Sequence, residues 1–189
     1  MTPIMARGQT PVIGIVGWKK SGKTTVVEKL IVEFTRRGLK VASVKHAHHN
    51  FQIDDADTDS ARHRRAGAGQ VAIVSGSRWA IVTELGSAPE PGLLDVLQKL
   101  EPCDLVIVEG YKSAPIPKIE ARRREGRAGP SLAARDPRVI AIASDHQIAE
   151  GGLPRFALDD IAAIADFITQ SMGIHAGKHA PARGVPAKS

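Results

Sequence analysis

Apolar runs of strand length alternate with amphipathic stretches of helical period along this chain of 189 residues. That alternation predicts an α/β fold: a three-layer P-loop fold with a mostly parallel central sheet and flanking helices. Three observations carry the prediction. Val12 to Val16 is a short apolar run joined to a helical segment by a glycine-rich turn. Asp104 to Glu109 (DLVIVE) and Val139 to Ala143 (VIAIA) are continuous apolar runs of the kind buried on both faces of a parallel sheet. Lys40 to Lys45 follows the first helix after Gly38 and completes a strand–helix–strand unit, whose crossover is right-handed.

The turn is the most informative stretch. Gly17, Trp18, Lys19, Lys20, Ser21, Gly22, Lys23 and Thr24 spell G-x-x-x-x-G-K-[ST], with Thr25 next. A strand before it and a helix after it supply the context that distinguishes a phosphate-binding loop from a chance match. Gly17 and Gly22 let the backbone curl where a Cβ would obstruct phosphate oxygens. Successive N–H groups and the helix N-terminus then face the anion. Lys23 is placed for the β- and γ-phosphates and the Thr24 hydroxyl for Mg²⁺. In the helix, Val26, Val27, Leu30, Ile31 and Phe34 share one face, opposite Glu28, Lys29, Glu33, Arg36 and Arg37.

Farther along, residues 46–59 (HAHHNFQIDDADTD) form a polar, aperiodic loop, and Ser60 to Ala66 a short basic helix. Gln70 to Ser75 and Arg78 to Leu85 read as strands around the Gly76-Ser77 turn, with Trp79 a core position. Leu93, Leu94, Leu97 and Leu100 mark a third amphipathic stretch, and Lys118 to Arg123 an edge strand. Ile161 to Met172 is the last helix. The domain therefore spans residues 11–172, after a loose lead-in (1–10) and before a disordered basic tail (173–189).

Composition narrows the class. A chain 42% hydrophobic and 24% charged, without a run long enough to span a membrane or a secretory h-region, is expected in the cytoplasm. Its single cysteine excludes an internal disulfide and a cysteine metal site. The net charge of +6 favours anionic partners, and aromatics at 4% are too few for a stacking surface on nucleic acid.

A phosphate loop needs a carboxylate at a neighbouring strand end to hold Mg²⁺ or its water. Asp104 and Glu109 compete; ligands in such sheets gather at the carboxyl ends of strands, which favours Glu109 and leaves Asp104 a turn residue. Asp145 closes a later strand, where a carboxylate either accepts from guanine N1–H and N2–H₂ or caps a turn. Lys45, at the end of the second strand, and His46, His48, His49 and Asp59 of the long loop are switch or ligand contacts or solvated residues. His46, His48 and His49 also admit a metallochaperone reading, with a GTP-driven transfer of metal. Trp18, inside the phosphate loop, is expected to pack over the nucleotide or a partner.

The ordered set Gly17–Thr25, Val44–His49 (VKHAHH), Asp59-Ser60, Ala66–Ala68, Arg78–Ala80, Val108–Lys112 (VEGYK), Lys118-Ile119 and Ala141–Asp145 (AIASD) closely resembles the MobB family, the molybdopterin-guanine dinucleotide biosynthesis adaptor proteins. The resemblance runs from Pro11 to Met172. It implies a homodimeric SIMIBI-type GTP-binding protein, at most a weak GTPase, with GTP and Mg²⁺ as cofactors. Its implied partner is a MobA-type guanylyltransferase that builds the guanine dinucleotide form of the molybdenum cofactor; molybdopterin and molybdoenzyme maturation factors are further candidate partners. Gly17 to Thr25 carry over to phosphate binding, Thr24 and Glu109 to Mg²⁺, and Asp145 to the base. The signature lysine of many SIMIBI ATPases falls at Trp18, so the resemblance carries no loop lysine acting across a dimer.

Overall fold

The computed structural model describes residues 10–47, 58–127, 129–148 and 151–174, which cluster into two compact units: residues 93 onward together with those up to His46, and residues 47–92.

The larger unit is built on β1 (Val12–Val16), β2 (Val41–Lys45), β5 (Leu105–Glu109), β6 (Lys118–Arg122), β7 (Val139–Ser144) and β8 (Arg155–Ala157), the strands of the smaller unit taking the intervening numbers. They form one sheet in the order β2-β5-β1-β6-β7-β8, and every pairing in it is parallel. Side-chain alternation divides its core. Ile13, Ile15, Leu105 and Ile107 face α1 (Lys23–Arg36) and α4 (Ile161–Met172), against Val26, Leu30, Phe34, Ile164 and Ile168. Val12, Val106 and Val108 face the other way, toward Leu93 and Leu97 of the short α3 (Leu93–Leu97) and toward Ile116. The expected three-layer α/β architecture is what the chain forms. Burial of both faces explains why β1 and β5 read as unbroken apolar runs.

Two expectations change here. β6 is central, lying between β1 and β7, and not an edge. Its charged residues suggested exposure, yet Lys118 and Glu120 are each only 1% exposed. Lys118 Nζ donates to Asp136 Oδ2 at 2.7 Å, and Glu120 accepts from Arg122 and from the amides of Leu132 and Ala133. The charges are buried because each has a partner. The short strand β8 pairs with β7 and has no counterpart in the sequence reading; three residues carry too little periodicity to be seen.

In the smaller unit, α2 (Asp59–Arg65) begins at Thr58, whose hydroxyl accepts from Ala61 N. The antiparallel hairpin of β3 (Gln70–Val74) and β4 (Trp79–Thr83) pairs Val74 with Trp79. Val71 is buried, whereas Val74, Trp79 and Ile81 are 75%, 62% and 53% exposed. Trp79 is therefore a surface residue and not the core residue expected: it lies on the hairpin face opposite Val71.

Candidate functional site

The carboxyl ends of the parallel strands bring the candidate residues together. The loop 17–22 leaves β1 there, Glu109 ends β5 beside it, and Lys45 ends β2 in register with Glu109. Asp145 follows β7.

The loop itself is wound through unusual backbone. Gly17 has φ 151°, Gly22 φ 87° and, between them, Lys20 φ 65°. A Cβ on Gly17 would overlap the Ala121 carbonyl oxygen and the Ser21 hydroxyl, so glycine is required on space as well as on torsion. Gly22 caps α1, whose first-turn amides of Lys23, Thr24 and Thr25 have no intrahelical acceptor, the first such bond being Val26 N to Gly22 O. The helix N-terminus thus opens on a cavity of about 450 Å³ lined by Lys20, Ser21, Gly22, Lys23, Thr24, Thr25, Arg123 and Glu125.

Within this frame the Lys23 ammonium donates to the Trp18 carbonyl at 2.7 Å. Burial lowers its pKa from the ordinary lysine value; Glu109 opposes the shift, and Lys112 and Lys45 add to it. Thr24 Oγ1 donates to Glu109 Oε1 at 2.7 Å, and Lys45 Nζ stands 3.7 Å from Glu109 Oε2. A hydroxyl and a carboxylate this close, next to a lysine at a helix N-terminus, are hard oxygen donors of the type Mg²⁺ takes beside phosphates. The residues fit the ion. Asp104, by contrast, accepts from Lys40 N at 2.7 Å at the other end of the sheet, the turn role expected of it.

A second cleft, about 360 Å³, opens beside the loop and is lined by Gly22, Thr25, Val26, Lys29, Arg123, Ser144, Asp145, Ala157, Leu158 and Asp159. Asp145 Oδ1 accepts from Arg124 N and His146 Nδ1, both at 2.8 Å. The His146 bond is the main reason the Asp145 carboxyl lies below its ordinary pKa. Oδ2 stands 3.9 Å from Arg123 Nε. Asp145 therefore steadies a turn and lines the cleft at once.

The loop residues divide. His46 stacks on Tyr111 with ring centroids 4.5 Å apart. His48 and His49 lie outside the described residues. Asp59 opens α2 in the smaller unit, 3.6 Å from Arg62. No group of three metal-capable side chains occurs among the described residues. Trp18 donates from Nε1 to the Pro130 carbonyl at 2.9 Å, and its ring fills the space beside Gly129. Two cations were missed in the sequence. Arg123 lines both cavities, and Lys112 Nζ sits 3.9 Å over the Trp18 ring. The Val-Glu-Gly-Tyr-Lys string held the signal for Lys112, three residues past Glu109.

Comparison with known proteins shows the family. Residues 12–145 match the family described as molybdopterin guanine dinucleotide synthesis protein B. The chain is 42% identical over 171 residues to the molybdopterin-guanine dinucleotide biosynthesis adapter protein of Haemophilus influenzae, covering 87% of this chain and 91% of that one. It is 33% identical over 164 residues to the adapter protein of Escherichia coli, with 86% and 93% covered. The crystal structure of a MobB homolog from Bacillus stearothermophilus superposes with a TM-score of 0.64 at 26% identity, covering 87% of this chain and 99% of that chain. Resting on the extent of these matches, the chain belongs to the MobB family.

Proposed function

We propose that this chain binds GTP with Mg²⁺ in the Gly17–Thr24 loop and, so loaded, assists a MobA-type guanylyltransferase in making molybdopterin-guanine dinucleotide. Membership of the family makes it an adapter protein of that biosynthesis. The observation that carries the nucleotide half is the Thr24–Glu109 contact of 2.7 Å beside the Lys23 ammonium. In this reading the α1 N-terminus and Lys23 would neutralise the phosphates, and Thr24 and Glu109 would hold Mg²⁺, which would supply positive charge beside them. The cleft at Asp145 receives the base. Its carboxylate accepts from the guanine N1–H and N2–H₂ edge, where adenine offers no matching pair of donors. The role is one of binding, with hydrolysis weak at most, and the chain acts as a homodimer.

Titration calorimetry with GTP and ATP, with and without Mg²⁺, tests the nucleotide half. GTP binds more tightly than ATP, Mg²⁺ strengthens it, and Lys23→Ala removes it. Equal affinity for ATP would overturn the base assignment, and binding by Lys23→Ala the loop assignment. Co-elution with the guanylyltransferase in the presence of GTP tests the partner half; failure to co-elute at micromolar concentrations counts against it.

A further inference from the structure

Beyond Glu109 the chain takes a strained turn. Gly110 has φ 89° and Tyr111, which carries a full side chain, φ 49°. Residues with a Cβ rarely occupy this region, and such positions cluster at ligand and switch sites. Here the holding is visible. His46 stacks on the Tyr111 ring, His46 N donates to Glu109 O at 3.0 Å, and Ala114 N donates to Tyr111 O at 2.9 Å. The turn brings Lys112 back over the phosphate loop, its ammonium 3.9 Å from the centre of the Trp18 ring.

Trp18 thus meets two lysines, Lys112 through its ring and Lys23 through its carbonyl. Lys45 reaches the same place from β2, 3.7 Å from Glu109. Lys23, Lys45 and Lys112 thus gather about Trp18 and Glu109, three ammonium groups with one carboxylate among them. An anion of more than one charge relieves this excess. An aromatic face is a weak seat for an ammonium compared with a charge-assisted bond to phosphate. Trp18, fixed by its bond to Pro130, keeps that seat in place.

We propose that Lys112 is a binding residue for the terminal phosphate of a bound nucleoside triphosphate, with the Trp18 ring as its resting place when that phosphate is absent. The proposal rests on the GTP reading and deepens it. Lys23, at the helix N-terminus, reaches the β- and γ-phosphates, whereas Lys112 comes from the turn that follows Glu109, lies over Trp18, and adds a contact to the last phosphate alone. The turn 110–116 then differs between triphosphate- and diphosphate-loaded protein, a difference that a partner can read.

The test uses the full chain carrying Trp79→Phe, which leaves Trp18 as its one tryptophan. Fluorescence titrations with Mg²⁺ and either GDP or a non-hydrolysable GTP analogue give affinity and Trp18 emission together. The analogue is expected to bind about tenfold more tightly than GDP, the effect of one charge-assisted contact. Lys112→Ala should remove that preference, leave GDP affinity within about twofold, and abolish the difference in Trp18 emission between the two complexes. Lys112→Arg should restore the preference in large part. Equal affinity of the parent for both nucleotides, or a Lys112→Ala loss shared equally by them, overturns the proposal. Lys23→Ala, run in parallel, separates this failure from that of the site itself: undiminished binding there overturns the GTP reading.

Discussion

A methyl group on Gly17 would meet the Ser21 hydroxyl and the carbonyl oxygen of Ala121, which belongs to the backbone of the central strand β6. Gly17→Ala should therefore cost about 2 kcal/mol of stability, within the range for a strained backbone site, and widen the loop so that phosphate no longer seats. Urea unfolding and GTP titration of the same sample check both halves. Asp145 is a different case, because its carboxylate is exposed at the cleft and its substitution leaves the core alone. Asp145→Asn replaces an acceptor by a group that also donates. GTP affinity should fall about thirtyfold, roughly 2 kcal/mol, while xanthosine triphosphate, with an acceptor at position 2, should gain. Competition titrations with the two nucleotides measure this directly. Unchanged GTP binding would return Asp145 to its turn alone.

At the scale of the element, β6 shows where sequence reasoning stops. β1 and β5 were legible because burial on both faces leaves only apolar side chains. β6 is as deeply buried but carries Lys118 and Glu120, and a pattern of charge cannot reveal a partner twelve to eighteen residues away. Asp136 supplies one such partner, with Lys118 at 2.7 Å and Arg138 Nε at 2.6 Å. Burial alone would raise the Asp136 carboxyl; bonds from Arg138 and Lys118 outweigh it and hold the group at about 2. Since its folded pKa is depressed, its stabilisation is complete above the unfolded carboxylate value near ~4 and is lost as pH falls toward about 2. Asp136→Ala would strand the Lys118 charge in the sheet and should cost about 3 kcal/mol at neutral pH. The double variant Lys118→Met/Asp136→Leu should lie within about 1 kcal/mol of the parent and lose less stability between pH 4 and 2. Denaturant midpoints across that range test both, and a mild Asp136→Ala would mean that Lys118 sheds its proton instead.

For the molecule as a whole, the site was readable in the sequence to the extent that one rule gathers it: loops at the carboxyl ends of parallel strands share a place. That rule joins Gly17–Thr24 to Glu109 and Asp145 from the sequence alone. It was silent on Arg123 and Lys112, whose positions depend on how the chain turns after a strand ends. It was silent too on assembly, which is where the hairpin enters. Two-stranded hairpins are marginal in water on their own. This one buries Val71 on one face and leaves Val74, Trp79 and Ile81 on the other, with Leu85 43% exposed close by in sequence. A second copy of the chain presents the same stripe, and self-complementary apolar surfaces meet about a twofold axis. The expected outcome is a dimer in multi-angle light scattering at micromolar concentration, with Trp79→Ser/Ile81→Asp eluting as a folded monomer of unchanged circular dichroism. A parent chain that scatters as a monomer, or a variant that remains dimeric, would move the interface away from this face.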